Sequence, residues 1–334
     1  MRAIACPDSL KGTLSAHEAA AALAAGLRHG GVEAEELPLA DGGEGTSDAL
    51  YRALGGEWRQ ARVADPLGRP VAARFLLLPD GRAVVESAEA IGLHLVGPEE
   101  RDPLASTSRG LGELVVAALE AGARGLLVAL GGSATVDGGS GLREVVSELP
   151  VPTFAACDVT NPLLGPRGAA RVFGPQKGAT PEQVEELERR LGSMSELAGV
   201  ADLPGAGAAG GLGAAFAALG ARLVPGIELV LDVVGFRKRI IGATLAVTGE
   251  GKVDASSAEG KVPGGVAAAC AAEGVSCVVF GGVVEPDGEA ALRALGAAAV
   301  LPLSGRAERV REDLEALGES LARDPAGVVC HNQS

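Results

Sequence analysis

The chain has 334 residues, 47% hydrophobic and 22% charged, a globular composition long enough for two domains and unlike that of a disordered chain. Its formal net charge of −14 argues against nucleic acid or an anionic membrane as main partner. A small anion stays admissible, because screening confines long-range fields to roughly 8 Å.

Residues 2–6 read as a first buried strand. It ends in Pro7-Asp8-Ser9-Leu10-Lys11-Gly12-Thr13. Ser15 and Glu18, three residues apart, form a capping-box pattern before an Ala-rich helix that runs to about Gly30. A second strand near 33–39 ends at Ala40-Asp41-Gly42-Gly43-Glu44-Gly45, and a helix follows over 46–54. This β-α-β-α opening, with a glycine or lysine motif at each strand's carboxyl end, predicts a Rossmann-like parallel sheet.

Residues 57–88 change pattern. Asp65-Pro66-Leu67-Gly68 and Pro79-Asp80-Gly81 are turn signals between alternating segments, as expected of antiparallel hairpins. An inserted α/β domain with a mixed sheet is therefore placed at 58–239, and the first domain is discontinuous over 1–57 and 240–334. Within the insert, a helix at 108–122 precedes the buried run Leu126–Leu130. That run breaks into Gly131-Gly132-Ser133-Ala134-Thr135-Val136-Asp137-Gly138-Gly139. Successive exposed N–H groups in such a loop suit an anion, and the carboxyl end of a buried strand is where open α/β sheets place ligands. A strand at Thr153–Ala156 ends at Cys157-Asp158-Val159-Thr160-Asn161, and Gly174-Pro175-Gln176-Lys177-Gly178 precedes a polar helix over 181–198.

Gly205–Gly213 contains a G-x-G-x-x-G match. It follows Asp202-Leu203-Pro204 rather than a strand, so it is read as a loop entering an Ala-rich helix, not as a dinucleotide fingerprint. Parallel alternation resumes near 240. Ala243–Val247 is expected as a strand ending in the loop Thr248-Gly249-Glu250-Gly251-Lys252-Val253-Asp254, with Gly260-Lys261-Val262-Pro263 beyond. Ser276–Phe280 and Ala298–Leu303 complete the strands. A helix over 306–322 follows, and the tail Ala326–Ser334 is expected to be frayed.

The five cysteines are scattered and the four histidines lack metal-ligand spacing, so neither a disulfide framework nor a zinc site is expected. No signal-peptide pattern and no bilayer-length apolar run is present, which leads to the expectation of a cytoplasmic protein.

Only five of the 29 basic residues are lysine, and four of these, Lys11, Lys177, Lys252 and Lys261, fall in glycine-rich loops at or near strand ends. Compact ammonium groups there suit phosphate neutralisation better than general solvation. Asp8, Asp41, Glu44, Asp137, Asp158, Glu250 and Asp254 share these loops. Lysines, N–H-rich loops and carboxylates together are what phosphoryl transfer requires. No Walker A, G-x-S-x-G, H-E-x-x-H or kinase H-R-D pattern is present. A dehydrogenase lacks its fingerprint here. A purely anion-binding protein would gain nothing from so many carboxylates.

Taken together, Cys6–Ala16, Ala40–Thr46, Leu130–Thr135, Asp158–Leu163, Phe173–Ala179, Pro204–Gly213, Thr248–Asp254 and Gly260–Pro263 resemble the class I glycerate kinases, in the family's order and nearly end to end. Departures fall at Val136 (usually Asn), at Ala255-Ser256-Ser257 (usually a Gln-Thr pair) and in a shortened stretch at 142–152. The resemblance implies two α/β domains with the active site in the cleft between them. It also implies ATP-dependent, Mg²⁺-assisted phosphorylation of D-glycerate, giving 2-phosphoglycerate. Formation of 3-phosphoglycerate, or action on another small hydroxy acid, is the alternative. The implied partners are D-glycerate and ATP, with no nucleic acid and no membrane, and a homodimer is left open.

On this reading Lys11, Asp158 and Asp254 are the catalytic candidates. Asp158 and Asp254 are also the candidate Mg²⁺ ligands. Substrate and phosphate contacts fall to Asp8, Ser9, Asp41, Gly42, Gly43, Glu44, Gly131, Gly132, Ser133, Thr135, Asn161, Lys177, Glu250 and Lys261.

Overall fold

The structure, a computed structural model, describes residues 1–324. The tail expected to be frayed, with Cys330 and His331, lies outside the described residues. The chain is α/β and divides into two compact units: residues 1–41, 48–53 and 227 onward form the first, and residues 42–47 and 54–226 the second.

The first unit carries a five-stranded sheet of β1 (Arg2–Ala5), β2 (Glu33–Glu36), β9 (Leu245–Val253), β10 (Ser276–Val284) and β11 (Ala299–Pro302). Its order is β11-β10-β9-β1-β2, and every neighbouring pair is parallel. Central β1 is buried on both faces from Ala3 to Ala5, as a covered parallel strand must be. Edge strand β2 instead carries three glutamates, of which Glu35 pairs with Arg2 at 2.8 Å and Arg239 at 2.6 Å.

The helix Ala16–His29 begins at the predicted box, with Ser15 Oγ accepting from Glu18 N and a Glu18 carboxylate oxygen accepting from Ser15 N. It packs on the helix Val310–Arg323 through facing glycines. A Cβ on Gly26 would meet the Glu315 carbonyl oxygen at 1.9 Å, and one on Gly318 would meet that of Leu23 at 2.4 Å. The two backbones therefore touch, and only hydrogen fits between them.

One local expectation is overturned here. Thr248–Lys252 is strand, not loop: β9 runs on to Val253 and pairs with an equally extended β10, with Glu250 opposite Gly281 and Lys252 opposite Val283. Glycines permit the extension, since a Cβ on Gly249 would lie 2.3 Å from the Phe280 carbonyl oxygen. The sequence pattern misses this because glycine ordinarily weakens a strand.

The second unit has six strands: β3 (Glu57–Ala64), β4 (Pro70–Leu77), β5 (Arg82–Glu86), β6 (Gly125–Ala129), β7 (Thr153–Cys157) and β8 (Arg222–Pro225), in that spatial order. The β3–β4 and β4–β5 pairs are antiparallel, as the turn signals predict, and β5 through β8 are parallel. Asp65 closes the first turn, its Oδ1 accepting from the backbone N–H of Leu67 and Arg69 at 2.8 Å each. Buried Val85, Leu126, Val128, Leu111, Leu114 and Phe216 form the core between this sheet and its helices.

The Gly205–Gly213 loop does lead into a helix, Ala208–Ala218, through three successive left-handed residues, Ala209, Gly210 and Gly211. Among the described residues Ala209 is the single non-glycine with positive φ, at 51°. The close packing explains the turn: a Cβ on Gly210 would fall 2.0 Å from the Thr135 carbonyl oxygen.

Candidate active site

In the first unit the carboxyl ends of four adjacent parallel strands surround one cavity of about 460 Å³. The chain leaves β1 through Asp8, whose N–H donates to the Gly249 carbonyl at 2.9 Å, and turns tightly between Leu10 and Leu14. That turn carries Lys11 at its exposed tip. β9 contributes Glu250 and Lys252, with Asp254 just beyond its end. The Gly282–Val283 part of β10 and the Leu303–Val310 segment after β11 add the remaining wall. Seven of the sequence-derived candidates therefore share this cavity: Asp8, Ser9, Lys11, Asp41, Glu250, Asp254 and Lys261.

Its electrostatics separate three carboxylates by role. Burial pushes the Asp8 carboxyl up to about 7, and the negative fields of Asp41 and Glu250 add to this against the Ser9 N–H, 2.6 Å from Oδ1, and Lys11. A carboxylate near 7 is poised to take a proton at neutral pH. Glu250 is also raised, chiefly by burial, with the Ser257 hydroxyl and Lys261 (3.6 Å) opposing. Its Oε1 is buried without a hydrogen-bond partner. Asp254 differs: it caps the short 3₁₀ turn Ala255–Ala258, and hydrogen bonds from the Ser256 hydroxyl and N–H hold its pKa below the usual carboxylate range. Lys252 is half exposed and pairs with Glu285 at 2.8 Å and Asp254 at 3.5 Å.

The second unit holds the other candidates, several of them at the ends of its parallel strands. Gly131, Gly132, Ser133 and Thr135 follow β6, and Asp158 and Asn161 follow the neighbouring β7. Gly43 and Glu44 lie against the first of these loops, since a Cβ on Gly131 would meet Gly43 Cα at 3.1 Å and one on Gly132 would come 3.8 Å from Glu44 Oε2. Gly42 has φ +92°, and a Cβ there would strike Gly226 Cα at 2.4 Å, so the position accepts glycine alone. Asp158 is exposed, while Asn161 spends its amide on the Arg167 carbonyl at 2.7 Å. Lys177 is a buried side chain rather than a loop-surface cation. Its Nζ donates to Ser133 Oγ at 3.0 Å and the Thr135 carbonyl at 2.8 Å, and burial lowers its pKa to about 7. Asp137 serves the loop itself, accepting from the Ser108 hydroxyl and from the N–H groups of Ser108, Gly139 and Gly141.

Two residues absent from the sequence reasoning hold these loops. Glu86, buried at the end of β5, accepts from Gly45 N at 3.1 Å and Ser47 N at 2.6 Å. Next to it, the Ser87 hydroxyl donates to the Gly131 carbonyl at 2.7 Å and accepts from Gly131 N at 3.1 Å. A carboxylate closing the apolar run Ala83-Val84-Val85 was the available signal.

Among the described residues no helix is long and apolar enough to cross a membrane. The glycerate kinase family matches residues 3–149 and 142–330. The chain is 42% identical over 309 residues to the glycerate 2-kinase of Escherichia coli (strain K12), covering 80% of this chain and 81% of that protein. It is 41% identical over 332 residues to the glycerate kinase of Bacillus subtilis (strain 168), covering 87% of each. The crystal structure of a candidate glycerate kinase 2 from Salmonella typhimurium LT2 superposes with a TM-score of 0.84 over the whole of both chains, at 35% identity.

Proposed function

The chain belongs to the glycerate kinase family and is a kinase, and from that premise we propose that it transfers the γ-phosphoryl group of ATP to the 2-hydroxyl of D-glycerate. The observation that carries this reading is the charge arrangement around Asp8: a carboxylate near 7 stands in a cavity that Lys11, Lys252 and Lys261 also line. Phosphoryl transfer draws on that combination, since its catalysis is mainly positioning and charge neutralisation. Asp8 takes the hydroxyl proton as the oxygen attacks phosphorus. Lys11 neutralises the transferring group, and Lys261 neutralises its neighbour Glu250. In the second unit the Gly132 N–H and the Ser133 hydroxyl are donors for an oxyanion, and Gly131 and Thr135 belong to the same loop. Asp158 is a contact for a substrate hydroxyl or a metal.

Among the described residues no group of three or more His, Cys, Asp or Glu forms a ready metal cage. That suits Mg²⁺, which usually takes one or two protein carboxylates and completes its shell with phosphate oxygens and water. The unpartnered, buried Oε1 of Glu250 is such an oxygen, and Asp8, Asp41 and Asp254 line the same cavity. When bound, Mg²⁺ would offset the charge of the phosphates.

The test is ATP consumption with D-glycerate and Mg²⁺, with the product resolved by phosphorus NMR. 2-Phosphoglycerate supports the reading. 3-Phosphoglycerate would keep the kinase and reverse the orientation of the substrate. ATP binding without turnover would direct attention to another small hydroxy acid, with Val136 and Ala255–Ser257 as the first residues to revert.

A further inference from the structure

The pairing of Lys177 with Ser133 has no part in the scheme above. Lys177 is 4% exposed, so its ammonium is withdrawn from solvent, and its partners are a hydroxyl and a carbonyl rather than a carboxylate. Asp137, whose field partly offsets the burial, is itself engaged with Ser108 and the turn after it. A buried charge held this way costs stability.

The geometry shows what the arrangement can do. A protonated lysine amine has three donors and no acceptor. Lys177 Nζ donates to Ser133 Oγ, so the hydroxyl oxygen accepts there and its own proton is turned away, available to another acceptor. The backbone around Ser133 is pinned as well: Ala134 N donates to the Ile91 carbonyl at 2.8 Å, and Leu93 N donates to the Gly132 carbonyl at 2.7 Å. Two residues on, the hydroxyl of Thr135 is buried without a partner.

We infer that Lys177 is a positioning residue that fixes Ser133 as a hydrogen-bond donor to a substrate oxyanion, a carboxylate or a phosphate, without touching substrate itself. The inference rests on the kinase reading above, and it goes beyond that reading in making a buried lysine act through a serine.

The experiment is a double-mutant cycle with Lys177→Met, Ser133→Ala and the double variant. Steady-state kinetics are run against D-glycerate and ATP separately, with calorimetric titration of each ligand. Ser133→Ala should raise KM for one substrate about tenfold, the value of roughly one charge-assisted hydrogen bond. Lys177→Met should raise KM for the same substrate by a similar factor, and the double variant should be no worse than Ser133→Ala alone. An effect on D-glycerate assigns the carboxylate, and an effect on ATP assigns the phosphate. Lys177→Gln, which keeps an N–H donor without charge, should recover part of the loss, and it carries the test if Lys177→Met does not fold. Losses that multiply in the double variant, or unchanged KM and affinity for both ligands in a folded Lys177 variant, overturn the inference. If wild-type protein shows no turnover with D-glycerate the D-glycerate reading fails, and the titrations alone then decide the Lys177 role.

Discussion

Glu86 receives the N–H of Ser47 at 2.6 Å and that of Gly45 at 3.1 Å, one buried carboxylate closing the Gly42–Ser47 loop of the second unit. Both donors lose their acceptor in Glu86→Ala. Each unsatisfied buried group costs about 1–3 kcal/mol, so urea unfolding should show a loss of at least that size. Glu86→Gln, which sets an amide donor against one of the N–H donors, should fall between Ala and wild type. A stability within about 0.5 kcal/mol of wild type for Glu86→Ala would refute this role.

Asp8 couples activity to stability with opposite signs. Its carboxyl sits at about 7 in the folded chain against 3.8 for the free group, chiefly because it is buried. The folded state therefore binds the proton more tightly, and the Asp8 contribution to stability is present below pH 4 and lost as pH rises through 7. Asp8→Asn should raise stability at pH 8 by an amount on the order of a few kcal/mol and change it little at pH 4. The same change should lower kcat by about 10²–10⁴ and remove an ascending pH limb near 7. Full activity at pH 8 would remove the proton-accepting role.

Lys177 works in the other direction. Burial lowers its pKa from 10.5 to about 7, so the unfolded chain binds more protons between those values. Stability should rise with pH across that window. Chemical denaturation at pH 7, 8.5 and 10 should show the rise in wild type and a flatter profile in Lys177→Met.

Replacing Lys11 by Met should lower kcat by at least an order of magnitude if its ammonium neutralises the transferring group. Lys11 stands exposed at a turn tip, so thermal stability should stay near that of wild type. Near-normal turnover would reject its role.

Ala209 holds φ 51° and ψ 38°, a left-handed conformation that costs a Cβ-bearing residue roughly 1–2 kcal/mol. Ala209→Gly should stabilise the chain by about 1 kcal/mol, less than the full strain because glycine also loses more backbone entropy on folding. A lower melting temperature would show that Cβ packing outweighs the strain.

Local chemistry made much of this protein legible in its sequence. The Ser15–Glu18 box, the turn at Asp65 and the buried run Leu126–Leu130 depend on neighbours a few residues apart, and the structure has each where the pattern puts it. Several glycine-rich motifs, those after β1 and β6 among them, likewise lie at strand ends, while Thr248–Lys252 lies inside β9. The extension of β9 was not legible, because glycine ordinarily weakens a strand, and only the pairing with β10 shows that Phe280 leaves no room for a Cβ at Gly249.

Strand order and burial belong to the tertiary structure alone. β1 lies between β9 and β2, its pairing with β9 joins residues more than 200 positions apart, and this gathers Asp8, Asp41, Glu250 and Lys261 around one cavity. In the sequence Lys177 is a loop cation suited to phosphate, and Glu86 carries no signal beyond closing an apolar run. Both are buried, and each is held by groups some 40 positions away. Sequence spacing fixes which residues share a loop or a helix face. Desolvation and long-range pairing decide which of them meet and what proton affinity they then have, and both arise only when the chain closes on itself.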